Sequence, residues 1–445
     1  MKYKDYILGL KYEEYKQTVN NTLTKEHCVT NTNIGNMEKY SNYFLMDEQN
    51  VKEYAVFKLD FFNNVDDLEV IEIGDGNLNY VFRVKDNKLN KSVIIKQAGE
   101  ELRISSDMKL PISRGKHEYS TYIEMYKLVP NMVPKIYFYD DVMCVIAMED
   151  MKEYKVMRNA LLEQNIYEKF AEQITDYLAS LLHTTDILDA EHKKQNVIKF
   201  DNPYLCKITE DLVFTYSYFE SNKTNIITEN NKTFIKENVF NDKRLKLEVG
   251  KLKYKFINCP QALIHGDLHT GSIFVNHNDT CIFDPEFSFY GPIGYDVGNV
   301  IANLIFALLS NFSKKNIVND EFSVWILNTI EAIIDLYIRK FNNICEKASG
   351  DDMFTQNYFE EYLLKDILTD TAGYTGTEII RRIVGMAKNK DFTIINDLEI
   401  RSKMEQVGIL IAKELIINRE VYTKGKCYKE LIINILQRQC KRSTK

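Results

Sequence analysis

The spacing of apolar residues along the chain changes near residue 150. Before that point, short apolar or alternating runs are separated by polar turn residues, at 68–73, 92–96, 133–139 and 143–151. Such runs are typical of β-strands. Beyond it, apolar residues recur at helical spacing, at 166–182, 297–345 and 354–440. The pattern predicts an α+β protein with a small β-rich N-terminal part and a large, mainly helical C-terminal part.

The chain has 445 residues, which is more than one hydrophobic core usually serves, so two lobes are expected. We predict an N-terminal extension of unassigned role at 1–45, an N-lobe at 46–150 and a C-lobe at 151–445. Within the N-lobe, Asp47 and the acidic residue after it indicate the start of a helix.

Composition narrows the class of protein. Apolar residues make up 45% and charged residues 27%, as in soluble globular proteins. A net charge of −7 argues against nucleic acid as a main partner. The eight cysteines are scattered without C-x-x-C spacing, which favours reduced thiols in the cytoplasm. The run Val297 to Ser313 is slightly short for a membrane span and is interpreted as a buried helix, so no membrane partner is expected.

Candidate chemistry is concentrated in residues 263–298. The short apolar run before His265 leads into a turn containing Asp267, and the run Thr280–Phe283 leads into Asp284 and Glu286. Phosphoryl transfer needs one carboxylate to orient the attacking hydroxyl and others to hold Mg²⁺. Asp267 suits the first role, and Asp284 with Glu286 suits the second.

The spacing within this segment supports those roles. Asp284 and Glu286 lie two positions apart, which places both on one face if the segment is extended. Taken singly, each carboxylate would be interpreted as an ordinary turn residue. For Asp296, a role as a local cap or loop brace is favoured over the alternative role of a third metal ligand.

A second group of candidates lies in the N-terminal part. A glycine-containing hairpin is predicted at 74–84, a weak signal on its own because many β-hairpins have this pattern. If the hairpin covered phosphates, its glycines would allow close backbone approach and Asn79 could donate hydrogen bonds. The next strand ends at Lys96, and the helix after it carries Glu118. A strand-end lysine is usually solvated, but this order of elements predicts a Lys96–Glu118 ion pair. The apolar face of that helix is predicted at Tyr119, Tyr122, Ile123 and Tyr126, with Glu118 near its edge.

Two adjacent arginines, Arg381 and Arg382, stand in a helical segment. Neighbouring helical residues project about 100 degrees apart, so both cannot lie on one exposed face. We expect one of them to turn inward, where a guanidinium needs an acceptor.

These motifs resemble a known family. The sequences HGDLHTGSI at 265–273 and DPEFSFYGPIGYD at 284–296 resemble the kinase-like phosphotransferases of small molecules, which include aminoglycoside phosphotransferases and choline kinases. Within that group they are similar to the 5-methylthioribose kinase family. Ser272 replaces the usual Asn of the broader group, and D-x-E replaces DFG; both features fit the narrower family. The similarity extends over roughly residues 45–425.

The resemblance implies a protein-kinase-like two-lobed fold and transfer of the γ-phosphate of ATP to the C1 hydroxyl of 5-methylthioribose, a step of methionine salvage. It implies that Lys96 contacts phosphates, that the backbone of Glu149, Asp150 and Met151 binds adenine, and that Asp284 and Glu286 hold Mg²⁺. Arg381 and Arg382 would contact the sugar and the reacting phosphoryl group, although a structural role for one of them is an alternative. A homodimer is the family expectation. The tryptophan that the family usually carries near 101–114 is absent here.

Two alternatives stay open from the sequence. A kinase of another small alcohol or sugar would share the nucleotide-binding residues. A non-catalytic nucleotide-binding or scaffolding protein would belong to another class, and the presence of Lys96, Asp267 and Asp284 disfavours it.

Overall fold

The computed structural model describes residues 38–73, 79–102, 105–185, 197–315, 320–347, 352–354 and 356–442. The chain divides after Lys152 into two compact units. The first contains most of the strands and the second most of the helices. The predicted α+β class is confirmed, with its small β-rich part preceding a larger helical part. Residues 1–37 of the predicted extension, and the predicted turn at 74–78, lie outside the described residues.

The elements of the first unit follow the predicted runs. They are α1 (Glu48–Lys58), β1 (Leu68–Glu72), β2 (Asn79–Asp86), β3 (Lys91–Ala98), β4 (Glu101–Leu102), β5 (Ser105–Lys109), α2 (Arg114–Leu128), β6 (Ile136–Asp140) and β7 (Val145–Glu149). Helix α1 begins as expected, because the Asp47 side chain accepts the backbone N–H of Asn50.

Five of these strands form one antiparallel sheet in the order β1-β2-β3-β7-β6. Side chains of β3 alternate between its two faces. Val93 and Ile95 belong to the buried cluster that includes Val51 and Tyr54 of α1. Lys96 has the opposite parity, so it projects from the other face, and its strand neighbours are Val81 and Ile146. The sheet therefore holds Lys96 on a central strand, away from the cluster under α1.

Helix α2 buries a different face from the predicted one. Glu118 is 2% exposed and is buried together with Arg114, Thr121, Tyr122 and Met125. Of the expected face, Tyr122 is buried, whereas Tyr119, Ile123 and Tyr126 are only half-buried. The prediction that Glu118 lies at the edge of the packed face is wrong. The physical reason is that Arg114 and Glu118 have buried polar partners, Asn79 and Lys96 respectively. The helical period alone cannot reveal such partners.

The second unit is mainly helical. Its elements are β8 (Lys155–Val156), α3 (Met157–Leu162), α4 (Phe170–Ser180), α5 (Pro203–Phe214), α6 (Lys232–Ile235), α7 (Lys243–Asn258), β9 (Ala262–Ile264), β10 (Ile273–Val275), β11 (Thr280–Ile282), β12 (Phe289–Gly291), α8 (Gly294–Lys315), α9 (Glu321–Cys345), α10 (Asn357–Val384), α11 (Lys390–Thr393), α12 (Leu398–Ile417) and α13 (Gly425–Arg442).

Helix α8 lies in the core of this unit. Its segment Gly294–Ser313 is long and apolar enough to cross a membrane by length and composition, but 94% of that window is buried inside the protein. It packs against α10, which in turn packs against α12. The predicted buried helix at 297–313 is confirmed.

Short strands position the chemical segment between α7 and α8. Strand β9 pairs with β12, and β10 pairs with both β11 and β8. The strands predicted before Asp267 and before Asp284 are therefore present, and each ends just ahead of its carboxylate.

Candidate active site

The turn that carries Asp267 is held by a buried carboxylate. Asp296, at the start of α8, accepts the backbone N–H of His265 at 2.6 Å and that of Gly266 at 3.0 Å. Its side chain is fully buried. Burial raises the pKa of Asp296 to about 6, although the field of His265 and the two backbone hydrogen bonds oppose the rise. The predicted bracing role of Asp296 is confirmed.

Glycine is required at position 266. Its φ of +81° lies in the left-handed region, and a Cβ there would lie 2.2 Å from the carbonyl oxygen of Phe287. The backbone of the HGD turn is thus in close contact with the residue that follows Glu286. This contact brings the two predicted carboxylate segments together within the second unit.

Asp267 lies among cationic side chains. Nη2 of Arg381 donates to its Oδ1 at 3.1 Å, and Nη2 of Arg382 lies 3.9 Å from the same oxygen. Burial alone would raise the pKa of Asp267, but His269, Arg381 and Arg382 lower it well below its usual range. At neutral pH, the arginines supply that field, because His269 is then uncharged. Asp267 is therefore ionised throughout the physiological range.

Glu378 is a member of this cluster that the sequence reasoning missed. It is 1% exposed and accepts hydrogen bonds from Nε of Arg381 and, at 2.8 Å, from Nε of Arg382. The spacings i, i+3 and i, i+4 on α10 were the signal that could have revealed it. Burial would raise the pKa of Glu378, but the two arginines outweigh it and the pKa is lowered. Both arginines turn inward, whereas only one was expected to.

His269 and Ser272 complete the turn. Nδ1 of His269 accepts the backbone N–H of Gly271 at 3.1 Å, so the neutral ring carries its proton on Nε2, which lies 3.4 Å from Oδ2 of Asp267. Burial lowers the pKa of His269 to about 3; Asp267 opposes this, while Arg158 and Arg382 reinforce it. The Ser272 hydroxyl donates to the carbonyl oxygen of Asp267 at 3.3 Å. The residue that replaces the broader group's Asn thus supports the backbone of the turn.

Asp284 and Glu286 are close to each other, but not for the predicted reason. Pro285–Phe287 form a short 3₁₀ turn, and Asp284 has a φ of +67° in the left-handed region. The expectation of an extended segment is therefore wrong. The tight turn still leaves carboxylate oxygens of the two residues within 4.8 Å of one another. Two such oxygens suit a hard cation such as Mg²⁺.

The backbone around Glu286 is held by the residue that precedes α5. The Asn202 side chain donates to the carbonyl oxygen of Glu286 at 2.8 Å and to that of Ser288 at 3.1 Å. Asn202 is itself buried. The Asn202 amide thus fixes the backbone of the D-x-E turn. Asn202 lies 82 residues before Asp284 in the chain, so no sequence pattern indicates this role.

In the first unit, the predicted ion pair is present. Nζ of Lys96 lies 2.8 Å from Oε1 of Glu118, and their side chains are 10% and 2% exposed. The contact joins β3 to α2. Charged groups this far from water require pairing, so the partner of Lys96 is a condition of its burial.

Asn79 has a partner that the sequence did not indicate. Its Oδ1 accepts from Nη2 of Arg114 at 3.0 Å, and Arg114 also donates to the carbonyl oxygen of Gly99 at 2.8 Å. Asn79 is 6% exposed at the first position of β2. Arg114 therefore orients the amide so that its NH₂ group, and not its oxygen, points away from the guanidinium.

The proposed adenine-binding residues lie at the end of β7. The backbone N–H of Glu149 donates to the carbonyl oxygen of Lys135 at 2.8 Å. The Asp150 carboxylate accepts from Arg83 at 3.0 Å. With the N–H of Glu149 engaged, a backbone donor from this set has to come from Asp150 or Met151.

The class of protein follows from this arrangement together with sequence comparison. Residues 231–317, which contain the HGD and D-x-E turns, match the sequence model of the Phosphotransferase enzyme family. This match, together with the carboxylates of the two turns and the arginines beside Asp267, indicates a phosphotransferase.

Curated relatives narrow the class. The chain is 36% identical over 387 residues to a methylthioribose kinase of Bacillus velezensis, covering 86% of this chain and 94% of the relative. It is 32% identical over 396 residues to a methylthioribose kinase of Geobacillus thermodenitrificans, covering 88% and 98%. The chain therefore belongs to the methylthioribose kinase family, and the resemblance inferred from its motifs is confirmed.

Solved structures of related proteins are more distant. An ethanolamine kinase of Plasmodium vivax matches with a TM-score of 0.48 and 16% identity, covering 90% of this chain and 98% of that one. A choline kinase of Cryptosporidium parvum matches with a TM-score of 0.49 and 15% identity, covering 84% and 98%.

Proposed function

We propose that this protein transfers the γ-phosphoryl group of ATP to the C1 hydroxyl of 5-methylthioribose, yielding 5-methylthioribose 1-phosphate and ADP in methionine salvage. Family membership supports the activity. The observation that carries it within the chain is Asp267, ionised in a braced turn and contacted by Arg381. An alcohol acceptor needs an ionised carboxylate of this kind next to groups that stabilise phosphoryl charge.

Asp267 would act by accepting the hydrogen bond of the C1 hydroxyl. The hydroxyl oxygen forms a bond to the γ-phosphorus while the bond from that phosphorus to the leaving oxygen of ADP breaks. The hydroxyl proton passes to Asp267. Because the pKa of Asp267 is held low, we infer that it orients the hydroxyl first and takes the proton late, as a loose phosphoryl transition state allows.

Arg381 and Arg382 would stabilise the negative charge of the transferring group. Both are anchored by Glu378, so their guanidinium planes are fixed before substrate arrives. Such preorganised donors act without a reorganisation cost at the moment of reaction. The family resemblance also implies a contact with the sugar. Because Glu378 anchors both arginines, either of them could make it.

Nucleotide binding is assigned to several of the predicted residues. We propose that Lys96, kept in place by Glu118, contacts its phosphates, that Asn79 donates to them, and that the backbone at Glu149, Asp150 and Met151 binds adenine. Asp284 and Glu286 would hold Mg²⁺, which supplies charge neutralisation for the phosphates. Their carboxylate oxygens are close enough to share one cation.

A panel of acceptors tests the proposal. Purified protein is incubated with ATP and Mg²⁺ and with 5-methylthioribose, ribose, choline, ethanolamine or an aminoglycoside, and ADP formation is measured. We expect turnover with 5-methylthioribose at least about 100-fold above the others, since a site built for one set of hydroxyls leaves polar groups unpaired with another. Preference for a different alcohol would show that 5-methylthioribose is not the substrate. ATP binding without any turnover would favour a non-catalytic protein.

We also propose that the protein is a cytoplasmic homodimer, without nucleic-acid or membrane partners. These assignments rest on the family resemblance, the scattered cysteines and the net charge of −7. Light scattering after size exclusion measures the assembly, and a mass of about 52 kDa, that of one chain, would contradict the dimer.

A further inference from the structure

Arg158, in the second unit, is a cationic residue with no role in the phosphoryl transfer proposed for Asp267, Arg381 and Arg382. It is the second residue of α3, directly after the strand β8 that pairs with β10. Its backbone N–H donates to the carbonyl oxygen of Thr270 at 2.9 Å. The residue is therefore fixed to the turn that follows Asp267.

Its guanidinium lies against that turn. A Cβ added to Gly271 would be 3.0 Å from Nη1 of Arg158 and 2.9 Å from Cε1 of His269. A side chain at position 271 would therefore displace the His269 ring or the Arg158 guanidinium. His269 in turn lies 3.4 Å from Asp267, so Arg158 packs beside the immediate neighbours of the proposed catalytic carboxylate.

The Arg158 guanidinium has no direct carboxylate contact within the part of the chain that the structure describes. Among the residues that the structure describes, it forms no ion pair, and its buried Nε has no hydrogen-bond partner. Burial lowers the pKa of Arg158, and the positive charge of Arg382 lowers it further. These two effects outweigh the opposite effect of the carboxylates of Asp391, Asp267 and Glu378. By contrast, Arg381 and Arg382 both contact Glu378. Arg158 is half-buried, and a guanidinium that is partly removed from water without an ion pair is able to bind an anionic ligand.

We propose that Arg158 is a third active-site arginine, which binds the phosphoryl group once it is attached to the acceptor oxygen. This inference rests on the proposed function. 5-Methylthioribose carries no charge, so the sugar alone cannot supply an anion to the half-buried Arg158. A phosphate monoester does, and the planar fork of a guanidinium matches its oxygens.

The test compares Arg158→Met, which keeps an apolar stem, and Arg158→Lys, which keeps the charge, with Arg339→Met as the matched control. Arg339 is 60% exposed and pairs with Glu172 on the surface. Binding of 5-methylthioribose 1-phosphate and of Mg²⁺ with a non-hydrolysable ATP analogue is measured separately by calorimetry. We expect Arg158→Met to weaken sugar phosphate binding about 10-fold to 100-fold, the usual value of charge-assisted hydrogen bonds, and Arg158→Lys to weaken it less. Binding of the ATP analogue should change less than about threefold, the scale of a neighbouring-charge effect.

Thermal unfolding separates this role from a structural one. Because the half-buried guanidinium forms no ion pair with any described residue, its removal should leave the melting temperature of Arg158→Met equal to or above that of the wild type. A markedly lower melting temperature, a loss confined to the ATP analogue, or unchanged sugar phosphate binding would each overturn the proposal. Failure of the proposed function would appear differently, as a wild-type protein that does not phosphorylate 5-methylthioribose.

Discussion

The Lys96–Glu118 pair and the cluster around Glu378 are two solutions to the burial of charge. In the first unit, one lysine and one glutamate meet between β3 and α2, 22 residues apart in the chain. In the second, Glu378 binds two arginines on its own helix, and both reach Asp267, which is 114 residues from Arg381. The pair joins neighbouring elements, whereas the cluster joins a local helical motif to a distant turn.

The difference shows how each region resists change. Glu378 is shared, so its loss affects two guanidiniums at once, and the position of Asp267 depends on them. Glu118 anchors the lysine that we assign to the nucleotide phosphates. We therefore expect substitutions in the cluster to affect stability and acceptor chemistry together, and substitutions in the pair to affect stability and nucleotide binding.

The largest effect is expected for Glu378→Gln. The amide cannot neutralise two buried arginines, so we expect a loss of about 3–5 kcal/mol in the free energy of unfolding, the usual cost of breaking a buried ion pair. Urea denaturation measures it, with the exposed Glu346→Gln as control. A loss below about 1 kcal/mol, the value of a surface pair, would show that the cluster is not held by charge.

Glu118→Gln should cost somewhat less, about 3 kcal/mol, because a single buried cation loses its carboxylate. The double variant Lys96→Met with Glu118→Leu should recover part of that stability, since an apolar pair requires no neutralisation. Its affinity for ATP should still be reduced. Normal ATP affinity in the double variant would refute a phosphate-binding role for Lys96.

Asp267→Asn tests the cluster at its catalytic end. We expect turnover to fall on the order of 100-fold or more, about 2.7 kcal/mol in the activation barrier, because the neutral amide cannot receive the proton. Binding of ATP should be retained, as measured by calorimetry. Unchanged turnover would reject the role assigned to Asp267.

The smallest effect is a pH dependence from Asp296. Its pKa of about 6 in the folded protein lies above the ordinary 3.8, so its contribution to stability is fully present below the ordinary pKa and is lost as pH rises through 6. Acid therefore does not unfold the protein through this group. Protonation does weaken an acceptor of the His265 and Gly266 N–H groups, so turnover should fall a few-fold between pH 7 and pH 5.

A variant isolates this titration. Asp296→Asn has no group that ionises at this position, so its turnover should be lower than that of the wild type at pH 7 but should lack the acid decline assigned to Asp296. Circular dichroism at both pH values controls for unfolding. The same acid decline in the variant would assign it to another group.

The sequence alone determined the order of elements and most of the proposed chemistry. Short apolar and β-prone runs predicted the strands that carry Lys96 and precede Asp267 and Asp284, because strand preference depends on the local residue types. The succession of strand, lysine and helix also predicted the partner of Lys96. A short, ordered motif such as HGDLHTGSI identified the family, because its residues are adjacent in the chain.

Only the tertiary structure decided which partners meet and which faces are buried. It placed Arg381 on Asp267, Arg114 on Asn79 and Asn202 on the D-x-E turn, contacts between residues 35 to 114 positions apart. In the structure, Glu118 lies on the buried face of α2, and Asp284 has a left-handed backbone conformation. Long-range charge pairing and turn geometry depend on packing between distant segments, and hydrophobic periodicity carries no information about either.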